Sequence, residues 1–399
     1  MNGLFKFAPP LLAALTLAAC NAGGSANMPV APSQAAAGAH SLPQVALSEP
    51  GKPACAGSRI GRAQCDVLLQ RTGVSPDVAG WGASVLEKWY NLPSLTSGSG
   101  QVVAVVDAYD NPNVASDVAA YRSYFGLPAA NFYKYNQFGQ QSNYPSGSVG
   151  WGVEIDLDVQ MVSAACPNCT IYLVEANSSQ WSDLGTAEKE AVTLGATVVS
   201  NSYSGSGGSV SDYDTPGITY LASAGDSGYG IADPAQFDSV FAAGGTELRA
   251  SGSSYVESVW PYSGGGCSIE SKPSWQHVKK HCKKDRVAND GSALADNAAE
   301  YDSYDYGGWI TVSGTSISSP FLGGVFGLAG NSTSQDGGKT IWSLSASQQA
   351  NDLHAITSGS VTRCPTKLAN TYLCKAGTGQ YGQYSGPGGW GSPNGVGAF

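Results

Sequence analysis

Three stretches of the chain carry hydroxyl and carboxyl side chains at spacings suited to nucleophilic and proton-transfer chemistry. Ser313-Gly314-Thr315-Ser316-Ile317-Ser318-Ser319-Pro320 leads into an apolar, small-residue segment, Phe321 to Ala329, that reads as a buried helix. A serine at such a helix start lies among free backbone N–H groups at the positive end of the dipole, where developing negative charge is stabilised. Simple N-capping is the other use of the same residues. Upstream, Glu154 and Asp158 stand four residues apart in Gly152-Val153-Glu154-Ile155-Asp156-Leu157-Asp158-Val159-Gln160. Ile155, Val159, Val162 and Cys166 recur at helical spacing, and on a helix the two carboxyls share one face and can share a proton. Crowded carboxyls do not readily both ionise, so one tends to hold a proton while the other can accept one. Val153 to Val159 also alternates with period two, which leaves a strand open, and an acidic solvated face is the nonfunctional alternative. The third stretch is Tyr220-Leu221-Ala222-Ser223-Ala224-Gly225-Asp226-Ser227-Gly228, where Asp226 either serves chemistry at a strand end or closes a turn.

The elements that must position these groups alternate. Gln101 to Asp107 is a continuous apolar run ending in a polar residue, the pattern of a buried parallel strand, and such carboxyl ends are where open α/β sheets place their sites. A helix is predicted from Val114 to Phe125, a strand from Thr170 to Val174, a helix from Ser182 to Thr193, and strands from Ala196 to Asn201 and Ile218 to Ala224. This order predicts an α/β domain with a mainly parallel central sheet and helices on both faces. No internal repeat and no second composition break divides it.

The chain of 399 residues is 42% hydrophobic and 13% charged, which suits a compact globular protein and argues against disorder as its main state. Its formal charge of -10, from 20 Lys+Arg and 30 Asp+Glu, lacks the basic footprint of a nucleic-acid binder. Lys6, an apolar run from Leu11 to Ala19 and Cys20 after Leu17-Ala18-Ala19 predict a signal peptide over residues 1–19, too short for a stable membrane span. Cys20 resembles the acylated cysteine of a bacterial lipobox, with an ordinary secretory cleavage site as the alternative. Asn21 in place of Asp favours the outer membrane or cell surface by resemblance to lipoprotein sorting. Residues 20–64 are expected to be a flexible tether and short N-terminal segment, and residues 65–399 one domain. The other eight cysteines fall as close neighbours, Cys55 with Cys65, Cys166 with Cys169, Cys267 with Cys282 and Cys364 with Cys374. In an oxidising compartment they read as four local disulfides, although sequence alone permits many connectivities. Cys166-Pro-Asn-Cys169 could also be a redox or zinc motif, but no second pair or nearby histidine completes four ligands.

Glu154-x-x-x-Asp158, then Gly225-Asp226, then Ser313-Gly314-Thr315-Ser316 resemble, in type and order, the motifs of the sedolisin, or serine-carboxyl peptidase, family, and the resemblance runs from about Val102 to Phe399. It implies a subtilisin-like three-layer fold and hydrolysis of protein or peptide substrates. A subtilisin would need a histidine base in a His-Gly-Thr-His run, and His40, His277, His281 and His354 all lie outside one. By position, the resemblance makes Ser316 the nucleophile, Glu154 its general base, Asp158 the carboxyl that orients Glu154, and Asp226 the oxyanion partner. Subtilisins have an asparagine amide at that last place. A carboxyl donates there only when protonated, so the exchange ties activity to acid pH. Ser202, Tyr203 and Ser204 resemble the strand that pairs with substrate backbone, with Ser204 where glycine is usual. Two departures stand out. The family's calcium carboxylates are replaced at Ala355 and Ser385, which predicts no metal or other cofactor. About eighty residues between Cys20 and Gln101 leave little room for the large folded prosegment common in the family. A monomeric, exported envelope lipoprotein acting as an acid-active endopeptidase is the expectation. A silent binding lipoprotein on the same scaffold and a neutral subtilisin-like enzyme are the alternatives.

Overall fold

The computed structural model describes residues 51–399 except 56, 58, 59, 76, 77 and 335. The signal peptide, Cys20 and most of the expected tether lie outside the described residues. Eight strands make the central sheet. In chain order its elements are β1 (Val102–Ala108), α1 (Val114–Phe125), β2 (Asn131–Asn136), α2 (Val149–Ala165), β3 (Thr170–Ala176), α3 (Trp181–Thr193), β4 (Val198–Asn201), β5 (Thr219–Ser223), β6 (Val240–Ser251), β7 (Ser254–Val259) and β8 (Gly291–Leu294). The spatial order is β7-β6-β5-β4-β1-β3-β2, with β8 on β6, and every pair is parallel except the β6–β7 hairpin. Val103 to Val106 of β1 are wholly buried, as a strand covered on both faces requires. The chain runs outward from β1 to β2, returns beside β1 as β3, and crosses to β4 and β5. The carboxyl ends of β1, β4 and β5 therefore meet at a topological switch.

The α1 prediction matches the observed bounds, and α2 resolves the period-two ambiguity as a helix. Every residue from Trp151 to Ala165 is buried, because α2 is packed by α1 and by a second long helix, α4 (Thr315–Ala329). A helix covered on all sides shows no amphipathic stripe, so its sequence period is weak.

Residues upstream of Cys65 are part of the same compact body. Lys52 and Pro53 pair with Leu69 and Leu68, and Gln64 and Cys65 pair with Ser204 and Tyr203. The body thus begins before the boundary expected at residue 65, held by these ladders and by the Cys55–Cys65 disulfide. A second, antiparallel sheet runs Lys52–Pro53, Leu68–Ser75, Gly308–Ser313, Ala298–Asp302, and its Gly308–Ser313 strand feeds directly into α4. The other three disulfides pair Cys166 with Cys169, Cys267 with Cys282 and Cys364 with Cys374, so Cys166-Pro-Asn-Cys169 is a disulfide loop. Among the described residues no helix is long and apolar enough to cross a membrane.

Candidate active site

Ser316 lies in the first turn of α4, with no solvent exposure. The residue that caps this helix, Gly314, has φ 142°, and a Cβ there would collide with the carbonyl oxygen of Asp66 and lie 2.7 Å from Asp226 Oδ2. Only glycine allows that approach. The Ser316 hydroxyl donates to Ser202 O at 3.4 Å, and its backbone N–H donates to Asp66 O at 3.4 Å. Glu154 and Asp158 face it from α2, both wholly buried. Asp158 Oδ1 accepts from the Ser202 hydroxyl at 2.7 Å, which anchors that carboxyl to the loop between β4 and the short strand Tyr203–Ser204.

Neither oxygen of Glu154 has a hydrogen-bond partner, and Asp158 Oδ2 has none. The Ser316 hydroxyl is near enough to favour charge on Glu154, yet in this arrangement it is turned to Ser202 O rather than hydrogen-bonded to the carboxyl. Burial, then Asp158, then Asp107 hold Glu154 well above the ordinary carboxyl range. Burial and then Asp107 raise Asp158, against the Ser202 and Glu154 side chains, which lower it. Buried oxygens without partners are costly if charged, so the pair favours sharing a proton over ionising both carboxyls.

Asp226 sits beyond the carboxyl end of β5. Its Oδ1 accepts from Thr315 N at 2.8 Å and from the Thr315 hydroxyl at 2.9 Å, while its buried Oδ2 has no partner. Burial and then Asp66 raise it well above the usual range, against the two Thr315 donors. Oδ2 lies against Gly314, as does the Asp66 carbonyl that Ser316 N–H meets, and a proton on Oδ2 makes it a donor at the start of α4.

Sequence reasoning missed two site carboxyls. Asp107, next to last in β1, is wholly buried with both oxygens unpartnered, and burial pushes it up to about 8. Its signal was the polar residue closing an apolar run. Asp66 lies in the segment linking Gln64–Cys65 to Leu68–Ser75, and nothing in its local sequence marks it. The Ser204 and Ser223 hydroxyls each donate to its carboxyl at 2.8 Å, and burial still raises it to about 6. The structure brings Ser316, Glu154, Asp158, Asp226, Ser202 and Ser204 into one neighbourhood, with Tyr203 contributing backbone. The Tyr203 phenol points elsewhere, donating to Asn201 Oδ1 at 2.8 Å near Glu188 and Tyr213. His354 stacks on Trp89, with Nε2 3.1 Å from the Trp89 carbonyl oxygen, and takes no part in the site.

Of the two positions where the resemblance implies calcium carboxylates, Ala355 is exposed and Ser385 closes its own turn, its hydroxyl accepting from Gly388 N at 3.2 Å. A different group, Asp117, Asp156 and Asp302, places one buried carboxyl oxygen from each within 4.8 Å of the others. This donor set suits a hard cation. Burial raises Asp156 well above its ordinary range and Asp302 to about 6, so shared protons would also reconcile the three.

The parallel sheet, its covering helices and the placement of Ser316 at the start of α4 define a subtilisin-like α/β fold. The chain is similar to sedolisin of Pseudomonas sp. (strain 101), being 25% identical to it over 358 residues, a match covering 78% of this chain and 58% of that protein. The chain thus spans less than two thirds of the curated relative's length. The solved structure of Pseudomonas sedolisin, a serine-carboxyl proteinase complexed with two molecules of pseudo-iodotyrostatin, superposes with a TM-score of 0.66 at 24% identity, covering 80% of this chain and 96% of that one. Sphericase superposes with a TM-score of 0.48 at 16% identity, covering 80% and 99%. No family model matches the chain.

Proposed function

We propose that this chain is an acid-active serine-carboxyl endopeptidase that hydrolyses peptide bonds through an acyl-enzyme on Ser316. The observation that carries the reading is the start of α4, where Ser316 N–H donates to a peptide carbonyl and the buried, unpartnered Asp226 Oδ2 lies against the same Gly314 that this carbonyl touches, with the buried Glu154 and Asp158 of α2 close by. Glu154 takes the Ser316 proton as the hydroxyl attacks. Asp158, fixed by Ser202, shares proton and charge with Glu154. The oxyanion then accepts from Ser316 N–H and from protonated Asp226, whose geometry Thr315 sets. Glu154 passes its proton to the leaving amine, and water releases the acyl group. The experiment that tests this reading is hydrolysis of an unfolded protein at pH 4 by the wild type and by Ser316→Ala. Loss in the variant supports it, and equal turnover refutes it.

The chain is further read as a monomeric, exported lipoprotein anchored through Cys20 in the bacterial envelope, at the outer membrane or cell surface, with protein or peptide rather than nucleic-acid partners. Four disulfides support the oxidising compartment. No metal or cofactor is required in this reading. At pH 4 the thermal midpoint should be the same with and without a chelator, measured by circular dichroism. A fall of many degrees would place a needed cation at the Asp117–Asp156–Asp302 group or at the Ser385 turn.

A further inference from the structure

The strand Gln64–Cys65 and the residue that follows it run through the candidate active site. Cys65 and Gln64 pair antiparallel with Tyr203 and Ser204, the strand expected to receive substrate backbone. One residue on, Asp66 N–H donates to Ser202 O at 3.1 Å, and Asp66 O accepts from Ser316 N–H at 3.4 Å. The same carbonyl lies against Gly314, as does Asp226 Oδ2. The Asp66 side chain turns into a polar pocket, where the hydroxyls of Ser204 and Ser223 each donate to it at 2.8 Å. After Val67 the chain leaves along the strand that precedes Ser316, Leu68 pairing with Ser313.

We infer that residues 63–67 are a tethered substrate: Asp66 occupies the primary specificity pocket, Asp66–Val67 is the first bond the enzyme cuts, and Ser204 and Ser223 make the site select aspartate before the scissile bond.

This rests on the peptidase reading, and it specifies which substrates that site takes. Each polar atom of the Asp66 peptide unit and carboxyl has a partner of the kind a bound substrate would need, while the two serines supply donors and no cation. A carboxyl here meets Asp226 and Glu154 through space, so the pocket takes it best uncharged, which acid conditions provide. In the cut, Ser316 Oγ bonds to the Asp66 carbonyl carbon as its proton passes to Glu154. The bond to Val67 N breaks, and that nitrogen leaves as an amine carrying the proton. Water then replaces Ser316 Oγ on the acyl carbon and leaves Asp66 with a free carboxyl group. Until the cut, the strand fills the cleft that other substrates require, a short counterpart to a folded prosegment.

The test uses the full chain, purified at pH 8 and shifted to pH 4, with intact mass and N-terminal sequencing. Wild type should yield a fragment beginning at Val67, and Ser316→Ala should not. Asp66→Arg should lose that cut and should not show the rise in hydrolysis of added peptide that follows the cut in wild type. On quenched peptides Ala-Gln-Ala-Xaa-Val-Leu, kcat/KM should be highest for Xaa = Asp. The Ser204→Ala, Ser223→Ala double variant should lower it about tenfold more for Asp than for Ala. If Ser316-dependent hydrolysis of unfolded protein proceeds with no Val67 terminus and no advantage for Asp, this inference is overturned and the peptidase reading stands. If no substrate is turned over in a Ser316-dependent way, both fall.

Discussion

Ser316→Ala should lower kcat for peptide hydrolysis by several orders of magnitude, towards the roughly million-fold loss known for nucleophile removal in a subtilisin, and leave the fold intact. The expectation of a preserved fold comes from the site's own geometry. The hydroxyl makes one long bond, 3.4 Å to Ser202 O, so deleting it costs about 1 kcal/mol or less. The start of α4 keeps its shape because Gly314 and the Thr315 contacts to Asp226 and Gly225 do not involve the Ser316 side chain. Circular dichroism and the thermal midpoint should match wild type within a few degrees while turnover is lost. Residual turnover near the wild-type rate would move the nucleophile elsewhere.

The fold itself should be most stable in acid and weaken as pH rises. Burial raises Asp66 to about 6, Asp107 to about 8 and Glu175 to about 9, and it lifts Glu154, Asp158, Asp226 and Glu300 well above their ordinary range. A carboxyl raised on folding binds more protons in the native than in the unfolded chain, between its ordinary value near 4 and its raised one. Stability therefore falls with pH across that window and levels off above it. For Asp66 the window is about 4 to 6, and for Asp107 about 4 to 8. Each such group contributes on the order of 1 kcal/mol or more, so the thermal midpoint should drop by roughly ten degrees or more between pH 4 and pH 8. Scanning calorimetry across that range checks it. A midpoint that rises with pH would mean that these carboxyls are ionised and paired in the folded chain.

The strand-helix alternation was legible because β1 is an unbroken apolar run and α1 carries ordinary helical signals. Ser316, Glu154, Asp158 and Asp226 were legible from residue type and order together. The period of α2 was ambiguous because burial on every side removes the polar face that pattern reading depends on. The second sheet was not legible, since Leu69 pairs with Val312 across most of the chain and no local pattern encodes such a partner. Asp66 was hidden for the same reason. Its role comes from backbone bonds to Ser202 and Ser316, and backbone groups leave no signature in side-chain sequence.

The central claim is that carboxyls replace both the histidine base and the asparagine amide of a subtilisin, and the pH dependence of kcat/KM for wild type and Asp226→Asn tests it most directly. Wild type should be active in acid and lose activity toward neutrality, because an ionised Asp226 repels the oxyanion it must stabilise. An amide donates at any pH. Asp226→Asn should thus be slower at pH 4, yet its alkaline limb should move to higher pH, with the remaining fall set by the coupled Glu154–Asp158 pair. A neutral optimum shared by both proteins would contradict the carboxyl mechanism.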